Sequence, residues 1–238
     1  MTWSLIARDE ATGAIGIAVA TRFFAVGALL PHIDPAGGAV ATQALLNPTY
    51  GPRGLRLLRE GVPADDVVRF LIASDAGADH RQLHVMDRAG RFAAHTGAAC
   101  VDWCGHAIHE SFSVAGNMLA GPEVIAETAR AFRDGAGQPF ARRLIAALKA
   151  GEAAGGDKRG KQSAAILIHE GQEYPALSLR VDDHADPLAE LERLEKVSRE
   201  RFVHFARFFA TAEDPSGTFD RDVINAAIDA AVARDAGG

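Results

Sequence analysis

A hydroxyl side chain directly follows the initiator methionine. Thr2 is small enough for a methionine aminopeptidase to remove Met1 and expose the α-amine of Thr2. An α-amine has a pKa of about 8, so at neutral pH it can take a proton from the hydroxyl of its own residue. Thr at position two is common and usually has no such use. Thr2 is nevertheless the first candidate nucleophile in the chain.

The two cysteines of the chain, Cys100 and Cys104, offer a second kind of nucleophile. A thiolate at Cys100 would need a histidine as base, and the alternative is two buried thiols in a loop. The pair lacks the second pair of ligands that a zinc site needs. The chain starts without a basic and apolar export signal, so two reduced thiols are expected. We predict no metal and no other cofactor.

Two loops carry polar residues whose spacing could bind a substrate. The segment 155–161 is basic and rich in glycine, but Gln162 replaces the Ser or Thr of a phosphate loop. The segment also precedes a predicted strand instead of a helix, so it is either a solvated turn or a loop that grips an anion through Arg159. Asn117 closes another predicted strand. Its amide could donate to an oxyanion, or it could satisfy its own turn.

Composition excludes several classes of protein. The chain has 238 residues, of which 48% are hydrophobic, as in an ordinary globular protein. Its 25 basic and 31 acidic residues give a net charge of −6, which argues against a nucleic-acid partner. No apolar run approaches the roughly 20 residues that span a bilayer. We therefore expect a cytoplasmic protein without a membrane or nucleic-acid partner.

The hydrophobic pattern predicts elements that occur in groups of one type. Apolar runs of strand length predict strands at 3–8, 14–20, 39–44, 82–87, 91–96, 111–117, 162–169 and 177–181. Helical spacing of apolar residues predicts helices at 53–60 and 63–74, two helices between 122 and 150, and further helices after 187. Because strands and helices do not strictly alternate, the order favours helices that cover antiparallel sheets over a doubly wound parallel sheet.

Several motifs occur together and in order along the first four fifths of the chain. They are Thr2 to Asp9, Gly16 to Phe23, Ala41 to Ala44, Asn47 to Gly54, Thr96 to Cys100, Gly116 to Leu119, Gly151 to Ser163 and Arg180 to His184. Through these motifs the chain resembles the family known as domain of unknown function 1028. That family is grouped with the N-terminal nucleophile (Ntn) hydrolases.

The resemblance implies an α+β fold of a particular kind. It implies a four-layer αββα sandwich, in which two antiparallel sheets lie face to face and helices cover them on the outside. We predict that residues 1–185 form this Ntn-hydrolase-like domain. Residues 186–238 form a C-terminal helical extension, which packs on the domain or at a dimer interface.

The resemblance also implies a place for chemistry, since Ntn hydrolases cleave amide bonds with an N-terminal Thr, Ser or Cys. Thr2 matches the position of that nucleophile. Asn117 would stabilise the oxyanion, and Arg22, at the end of the second predicted strand, would lower the pKa of the amine. The residues predicted to bind the substrate are Thr42, Gln43, Asn47 and Arg159.

The sequence therefore predicts an amidohydrolase that cleaves a small amide or amide-like C–N bond. The alternative is a catalytically inactive module on the same fold, which binds or regulates through a small molecule and keeps Met1. We also predict a homodimer, because Phe202, Phe205, Phe208 and Phe209 form a more apolar face than one solvated helix needs.

Overall fold

The computed structural model describes residues 2–236, and within them the protein is a mixed α/β structure with two antiparallel sheets and seven α-helices. The chain divides into two compact units, of which the first ends at Leu191 and the second begins at Glu192. The boundary predicted from the sequence follows residue 185. Met1, whose removal would expose the amine of Thr2, lies outside the described residues.

The strands are numbered in chain order. They are β1 (Thr2–Arg8), β2 (Ile15–Thr21), β3 (Pro31–Asp34), β4 (Gly38–Ala44), β5 (Arg81–Asp87), β6 (Phe92–Thr96), β7 (Trp103–Ile108), β8 (Phe112–Leu119), β9 (Ser163–His169) and β10 (Leu177–Val181). Six strands form one sheet in the order β10-β9-β2-β1-β8-β7, and four form the other in the order β3-β4-β5-β6. Strand β1 is thus central in the larger sheet, between β2 and β8.

The helices of the described residues are numbered in the same way. They are α1 (Tyr50–Arg59), α2 (Ala64–Ala73), α3 (Glu123–Asp134), α4 (Phe140–Ala153), α5 (Pro187–Ser198), α6 (Phe202–Phe205) and α7 (Arg221–Ala236). The sequences of α1, α2 and α3 are amphipathic, and each of these helices buries one face, as expected for helices that pack on sheets.

The two sheets face each other through alternate residues of their strands. Ile6, Ile17 and Val19 of the larger sheet share one apolar cluster with Ala41 and Met86 of the smaller sheet. Because side chains alternate along a strand, Val40 and Val85 point the other way and pack with α1 and α2. Strands buried on both faces read as nearly continuous apolar runs, which is why their sequences lack a clean polar alternation.

The outer face of the larger sheet lies against α3 and α4. A Cβ built on Gly16 would lie 2.7 Å from Phe140 Cε1 and 2.8 Å from Leu144 Cδ1, both on α4. A Cβ on Gly116 would lie 3.2 Å from Ile125 Cδ1 on α3. The glycines in β2 and β8 therefore permit the close approach of the two helices to the sheet.

Two strands were not predicted from the sequence. β3 and β7 are both edge strands, β3 of the smaller sheet and β7 of the larger one. Most of their residues are only partly buried, so neither has the apolar run or the alternation that marks the central strands. Between β2 and β3 the chain forms a short 3₁₀ turn at Val26–Ala28.

The second unit contains the end of α5 together with α6 and α7. Here Phe209 stacks edge-on against Phe205 at 5.4 Å and against Phe202 at 6.3 Å between ring centroids. These rings thus contact one another within the unit, and the homodimer stays a prediction. Among the residues that the model covers, no helix has both the length and the apolar character needed to cross a membrane.

Candidate functional site

Three polar residues meet at one end of the larger sheet, where β1 begins and its neighbours β2 and β8 end. Antiparallel pairing places Thr2 of β1 opposite Thr21 of β2 on one side and opposite Asn117 of β8 on the other. Residues in direct register point to the same face of a sheet, here the face toward the smaller sheet. All three side chains are buried. The sequence-predicted residues Thr2 and Asn117 are therefore brought together.

The Thr2 hydroxyl lies 3.0 Å from the hydroxyl of Thr21. The Asn117 amide donates to Gln82 Oε1 at 3.0 Å, and its nitrogen lies 3.5 Å from Thr2 O. The latter distance is long for an N–H···O hydrogen bond, which is usually about 2.9–3.0 Å. The second N–H of Asn117 is thus weakly bound and remains available to a better-placed acceptor near Thr2.

A chain of hydrogen bonds crosses the space between the sheets behind Thr2. Ser4 donates to Gln43 Oε1 at 2.6 Å, so its oxygen must accept from His84 Nε2 at 2.9 Å. His84 Nδ1 then accepts from the Ser113 hydroxyl at 2.7 Å. Burial, helped by the nearby His106, lowers the pKa of His84 to about 3, so the ring is neutral at pH 7.

The chain continues through Gln82 to the strand ends. Gln82 Oε1 accepts from Gln43 Nε2 at 2.7 Å as well as from Asn117. The two N–H groups of Gln82 Nε2 are shared among three acceptors, the backbone oxygens of Gly116 and Gly105 and Thr96 Oγ1. Since carbonyl oxygens only accept, these contacts fix which way the Gln82 amide points. Gln82 consequently fixes the orientation of the Asn117 and Gln43 amides.

Thr2 opens into a cavity of about 550 Å³. The polar side chains at its deep end, which we call the polar floor, are Thr2, Gln43 and Asn117. Six large apolar side chains, which we call the apolar wall, surround the rest: Phe23, Val26, Leu29, Leu30, Leu45 and Leu46. A cavity of this size with a few convergent polar groups has the form of a small-molecule site.

The backbone around this cavity is strained. Among the described residues, four other than glycine have a positive φ: Ala25 (52°), Ala44 (70°), Asp102 (56°) and Met118 (54°). Ala44 and Met118 line the cavity, and Ala25 and Asp102 adjoin the lining residues Val26 and Val101. Left-handed conformations cost non-glycine residues about 1 kcal/mol or more, and such strain concentrates at functional sites.

The structure separates the two candidate arginines. Arg159 lines the cavity, whereas Arg22 is exposed, lines a neighbouring depression and donates to Arg159 O at 3.1 Å. β2 ends at Thr21 with its side chain directed inward, so alternation turns Arg22 outward. Of the two arginines, Arg159 is therefore the one that lines the cavity.

Asp157 holds the loop that carries Arg159. Its carboxylate accepts from Arg22 N at 2.7 Å, from Arg159 N at 2.8 Å and from Arg159 Nη2 at 3.3 Å. The residue also bridges to Leu119, the last residue of β8. As the sequence pattern indicated, the loop precedes a strand, here β9, instead of a helix. Its conformation is therefore tied to the strand ends next to Thr2.

The remaining predicted binding residues differ in position. Gln43 lies in the polar floor, and Thr42 lines the cavity while its hydroxyl donates to Asn47 O at 3.3 Å. Asn47 lies in the turn before α1, where its Oδ1 accepts from Thr49 and its Nδ2 donates to Asp75 at 2.9 Å. The geometry thus gives Asn47 a role in holding the turn behind the cavity.

Asp75 is the centre of a polar cluster behind that turn. Its hydrogen bonds with Arg81 and then with Asn47 hold the pKa of the carboxyl well below its usual range. Tyr50 donates to the same carboxylate at 2.9 Å, and burial followed by this contact raises the pKa of Tyr50 to about 12. At pH 7 the Asp75 carboxyl is therefore ionised and the Tyr50 phenol is neutral. Such a stable hydrogen-bonded pair suits a structural support.

Cys100 also lines the cavity, as a free thiol. Burial, followed by the neighbouring Cys104, raises the pKa of Cys100, and its thiol donates to Arg81 O at 3.4 Å. A catalytic cysteine needs a lowered pKa to be present as thiolate. Cys100 therefore lacks the lowered pKa of a catalytic cysteine.

Within residues 2–236, no three or more His, Cys, Asp or Glu side chains lie together in a way that could hold a metal ion. The acidic residues near the end of β10 have other contacts. Arg180 binds Asp182 through two nitrogens, and Gln162 donates to Asp183 at 3.0 Å. These contacts account for the acidic run that follows β10.

Reasoning from the sequence missed Thr21, Gln82, His84 and Asp157. Thr21 could have been found, because the turn between β1 and β2 sets the register that pairs it with Thr2. Asp157 follows two glycines in a turn, which is a typical place for an aspartate that caps its own loop. Gln82 and His84 gave no comparable signal, since their role depends on how one sheet lies on the other.

The fold and the site together define a mixed α/β protein whose two facing antiparallel sheets end at a cavity with an apolar wall and a Thr–Asn floor. A family model described as "Family of unknown function (DUF1028)" matches residues 2–191, and the chain belongs to this family. The match includes every strand and helices α1 to α4.

A solved structure supports the same assignment. The crystal structure of protein SPO2555 from Silicibacter pomeroyi, labelled with the same family model, is 35% identical to this chain. The similarity has a TM-score of 0.86 and covers 92% of this chain and 96% of that one. Among curated proteins, none matches this chain.

Proposed function

We propose that this protein is an amidohydrolase of the Ntn type, with Thr2 as nucleophile after removal of Met1. The observation that carries the proposal is the pairing of Thr2 with Asn117 on adjacent strands at the polar floor of the cavity. A hydroxyl, an amide donor and room for a substrate are the parts that acyl transfer needs. Within the proposal, the two sheets and α1 to α4 correspond to the four-layer αββα sandwich of Ntn hydrolases.

The proposed reaction begins at Thr2. Its free α-amine accepts the hydroxyl proton, directly or through a water, while Thr21 at 3.0 Å orients the hydroxyl. The oxygen attacks the amide carbonyl, and the weakly bound N–H of Asn117 donates to the oxyanion. The C–N bond then breaks, and the leaving amine takes the proton from the Thr2 ammonium.

The second half of the reaction restores the protein. Water, deprotonated by the Thr2 amine, attacks the ester that joins the acyl group to Thr2. The oxyanion is again stabilised by Asn117, at about 3 kcal/mol for a well-placed donor. The ester bond breaks, the Thr2 oxygen regains a proton, and the acyl group leaves as a carboxylic acid. Overall, one amide and one water give one acid and one amine.

The electrostatics of the site support an N-terminal amine as the base. The buried His84 is neutral, but both of its ring nitrogens are bonded to Ser4 and Ser113. The sequence predicts that Arg22 lowers the pKa of the amine. In this proposal Arg159 does so instead, because it lines the cavity. Neighbouring positive charge keeps an amine unprotonated at lower pH and so makes it available as a base.

The proposal is tested by substitution of Thr2. Amine release is first screened over a set of simple amides with the untagged wild-type protein. Thr2→Ala is expected to lower turnover by about 10³-fold or more without unfolding the protein, and Thr2→Ser to retain most of it. The matched control is Thr12→Ala, which removes an exposed hydroxyl that donates to Asp9. Undiminished turnover by Thr2→Ala would contradict the proposal.

The alternative is a module that binds a small molecule without cleaving it. It is supported by the rarity of charged side chains around the cavity, where Arg159 is the one permanently charged residue among the described lining residues. Retention of Met1 in the protein as expressed would favour this alternative, because Met1 blocks the amine of Thr2.

A further inference from the structure

The apolar wall continues from the core to the surface. Leu30 and Val26 are buried, whereas Leu29 is 40%, Phe23 53% and Leu45 63% exposed. Exposed apolar side chains that cluster around one opening mark a binding surface, while isolated ones are ordinary. The wall therefore offers a continuous apolar path from the polar floor to the surface.

The charge at the cavity is positive and comes from one side chain. Arg159 lines the cavity, and no Asp or Glu belongs to the described residues that line it. The Arg159 side chain is 43% exposed, and its guanidinium donates one hydrogen bond, at 3.3 Å, to the buried Asp157 carboxylate. A guanidinium has five N–H donors in a fork that fits a carboxylate, so Arg159 retains donors for a second one.

The size of the cavity exceeds what a small amide needs. A volume of about 550 Å³ lies within the range of roughly 300–1,000 Å³ that holds drug-sized ligands. A short amide such as an acetyl compound would reach the polar floor and leave most of the apolar wall in contact with water. Burial of each further methylene group against the wall would tighten binding by up to roughly fourfold.

We infer that the cavity takes an N-acyl amino acid with a medium-length apolar acyl chain. The chain lies on the apolar wall, the amide lies at Thr2 and Asn117, and the carboxylate of the amino acid binds Arg159. This inference rests on the proposed function for the cleavage itself, in which water splits the amide into a fatty acid and a free amino acid. The binding step does not depend on cleavage.

The test measures binding to Thr2→Ala protein by calorimetry, so that turnover plays no part. N-octanoylglycine is expected to bind at least 30-fold more tightly than N-acetylglycine. It is also expected to bind at least 10-fold more tightly than N-octanoyl-ethylenediamine, which has the same chain and a positive charge. Equal affinity for the two acyl lengths, or tighter binding of the cationic compound, would overturn the inference.

A pair of variants separates the contribution of Arg159. Arg159→Gln is expected to weaken the binding of N-octanoylglycine about 10-fold and to leave the binding of the neutral N-octanoylethanolamine unchanged. Lys158→Gln is the matched control, since Lys158 belongs to the same loop, pairs with Asp102 at 3.7 Å and does not line the cavity. An equal effect of the two variants would contradict the role given to Arg159.

The two proposals fail in different ways. Tight binding of N-octanoylglycine without turnover by the wild-type protein would support the inferred ligand class and contradict the proposed amidohydrolase activity. Turnover that needs Thr2 but shows no preference for chain length or for the carboxylate would support the proposed amidohydrolase activity and contradict the inferred ligand class.

Discussion

The space between the two sheets is polar at one end and apolar at the other. Near the cavity lies a polar half, composed of Ser4, Gln43, Gln82, His84, Ser113 and Asn117. Beyond it lies an apolar half, composed of Ile6, Ile15, Ile17, Ala39, Ala41 and Met86. Both halves are fully or almost fully buried, and β1, β4 and β5 contribute to both of them, so they differ in chemistry more than in exposure.

This difference indicates what each half contributes. Apolar contacts alone hold two sheets together, and they do so without directional requirements. Buried polar groups cost free energy unless each finds a partner, and a satisfied network fixes the orientation of its members. The hydrogen bonds of the polar half end at the Asn117 amide. We infer that the apolar half supplies stability and the polar half positions the groups around Thr2.

The largest expected effect on stability comes from the apolar half. Ile17 is fully buried between the sheets, and Ile17→Ala should lower the free energy of unfolding by about 3–4 kcal/mol through lost burial and a new cavity. Urea denaturation measures the change. Turnover per folded molecule should stay near the wild-type value, and a specific loss of turnover would show that the two halves are not separable.

A substitution in the polar half should affect both stability and function. Gln82→Leu removes the partner of the Asn117 and Gln43 amides and of Gly116 O, and should cost about 2–3 kcal/mol. In contrast to Ile17→Ala, it should also lower turnover at saturating substrate. The control is Gln138→Leu, an exposed glutamine, which should change stability by less than about 0.5 kcal/mol.

The polar half should also make stability depend on pH. The pKa of His84 is lowered by burial from 6.5 to about 3 in the folded protein. Between these values the unfolded chain binds a proton that the folded protein does not, so stability falls as the pH decreases from 6.5 toward 3. From pH 6.5 to 5, His84 should account for a loss of stability of about 2 kcal/mol.

Variants that cannot titrate at this position isolate the effect of His84. His84→Gln and His84→Asn should both lose less stability than the wild-type protein over the same pH interval, as measured by urea midpoints. Parallel pH profiles of wild-type and variants would show that the His84 proton does not contribute.

The smallest expected effect concerns the strained backbone at the cavity. Ala44 has φ of 70°, so Ala44→Gly should leave stability unchanged or raise it by up to about 1 kcal/mol. Ala39→Gly on the same strand, where φ is not positive, should instead destabilise by about 1 kcal/mol. Thermal unfolding of the two variants gives the sign of each stability change. A decrease in stability for both variants would show that Ala44 is not strained.

Much of the fold could be predicted from the sequence, because central strands and amphipathic helices leave strong local patterns. β1, β2, β4 and β9 have long apolar runs and were predicted to within two residues. The edge strands β3 and β7 were not, since partial exposure leaves them no clear period. The family likewise followed from motifs that lie together in sequence, and the family model confirms it.

The candidate site was predictable only in part. Thr2 and Asn117 have positions that suggest chemistry by themselves, at the chain start and at a strand end. Arg22 was chosen over Thr21 although alternation along β2 turns Thr21 inward. Gln82 and His84 belong to the smaller sheet, and their contacts with β1 and β8 depend on sheet stacking, which no local pattern specifies.

The most direct test of the central claim is the intact mass of the protein expressed without an N-terminal tag. The proposed mechanism requires the free amine of Thr2, so the account predicts a mass short by one methionine. Complete retention of Met1 would leave the Thr2 hydroxyl without its base, and would contradict an N-terminal nucleophile in this protein.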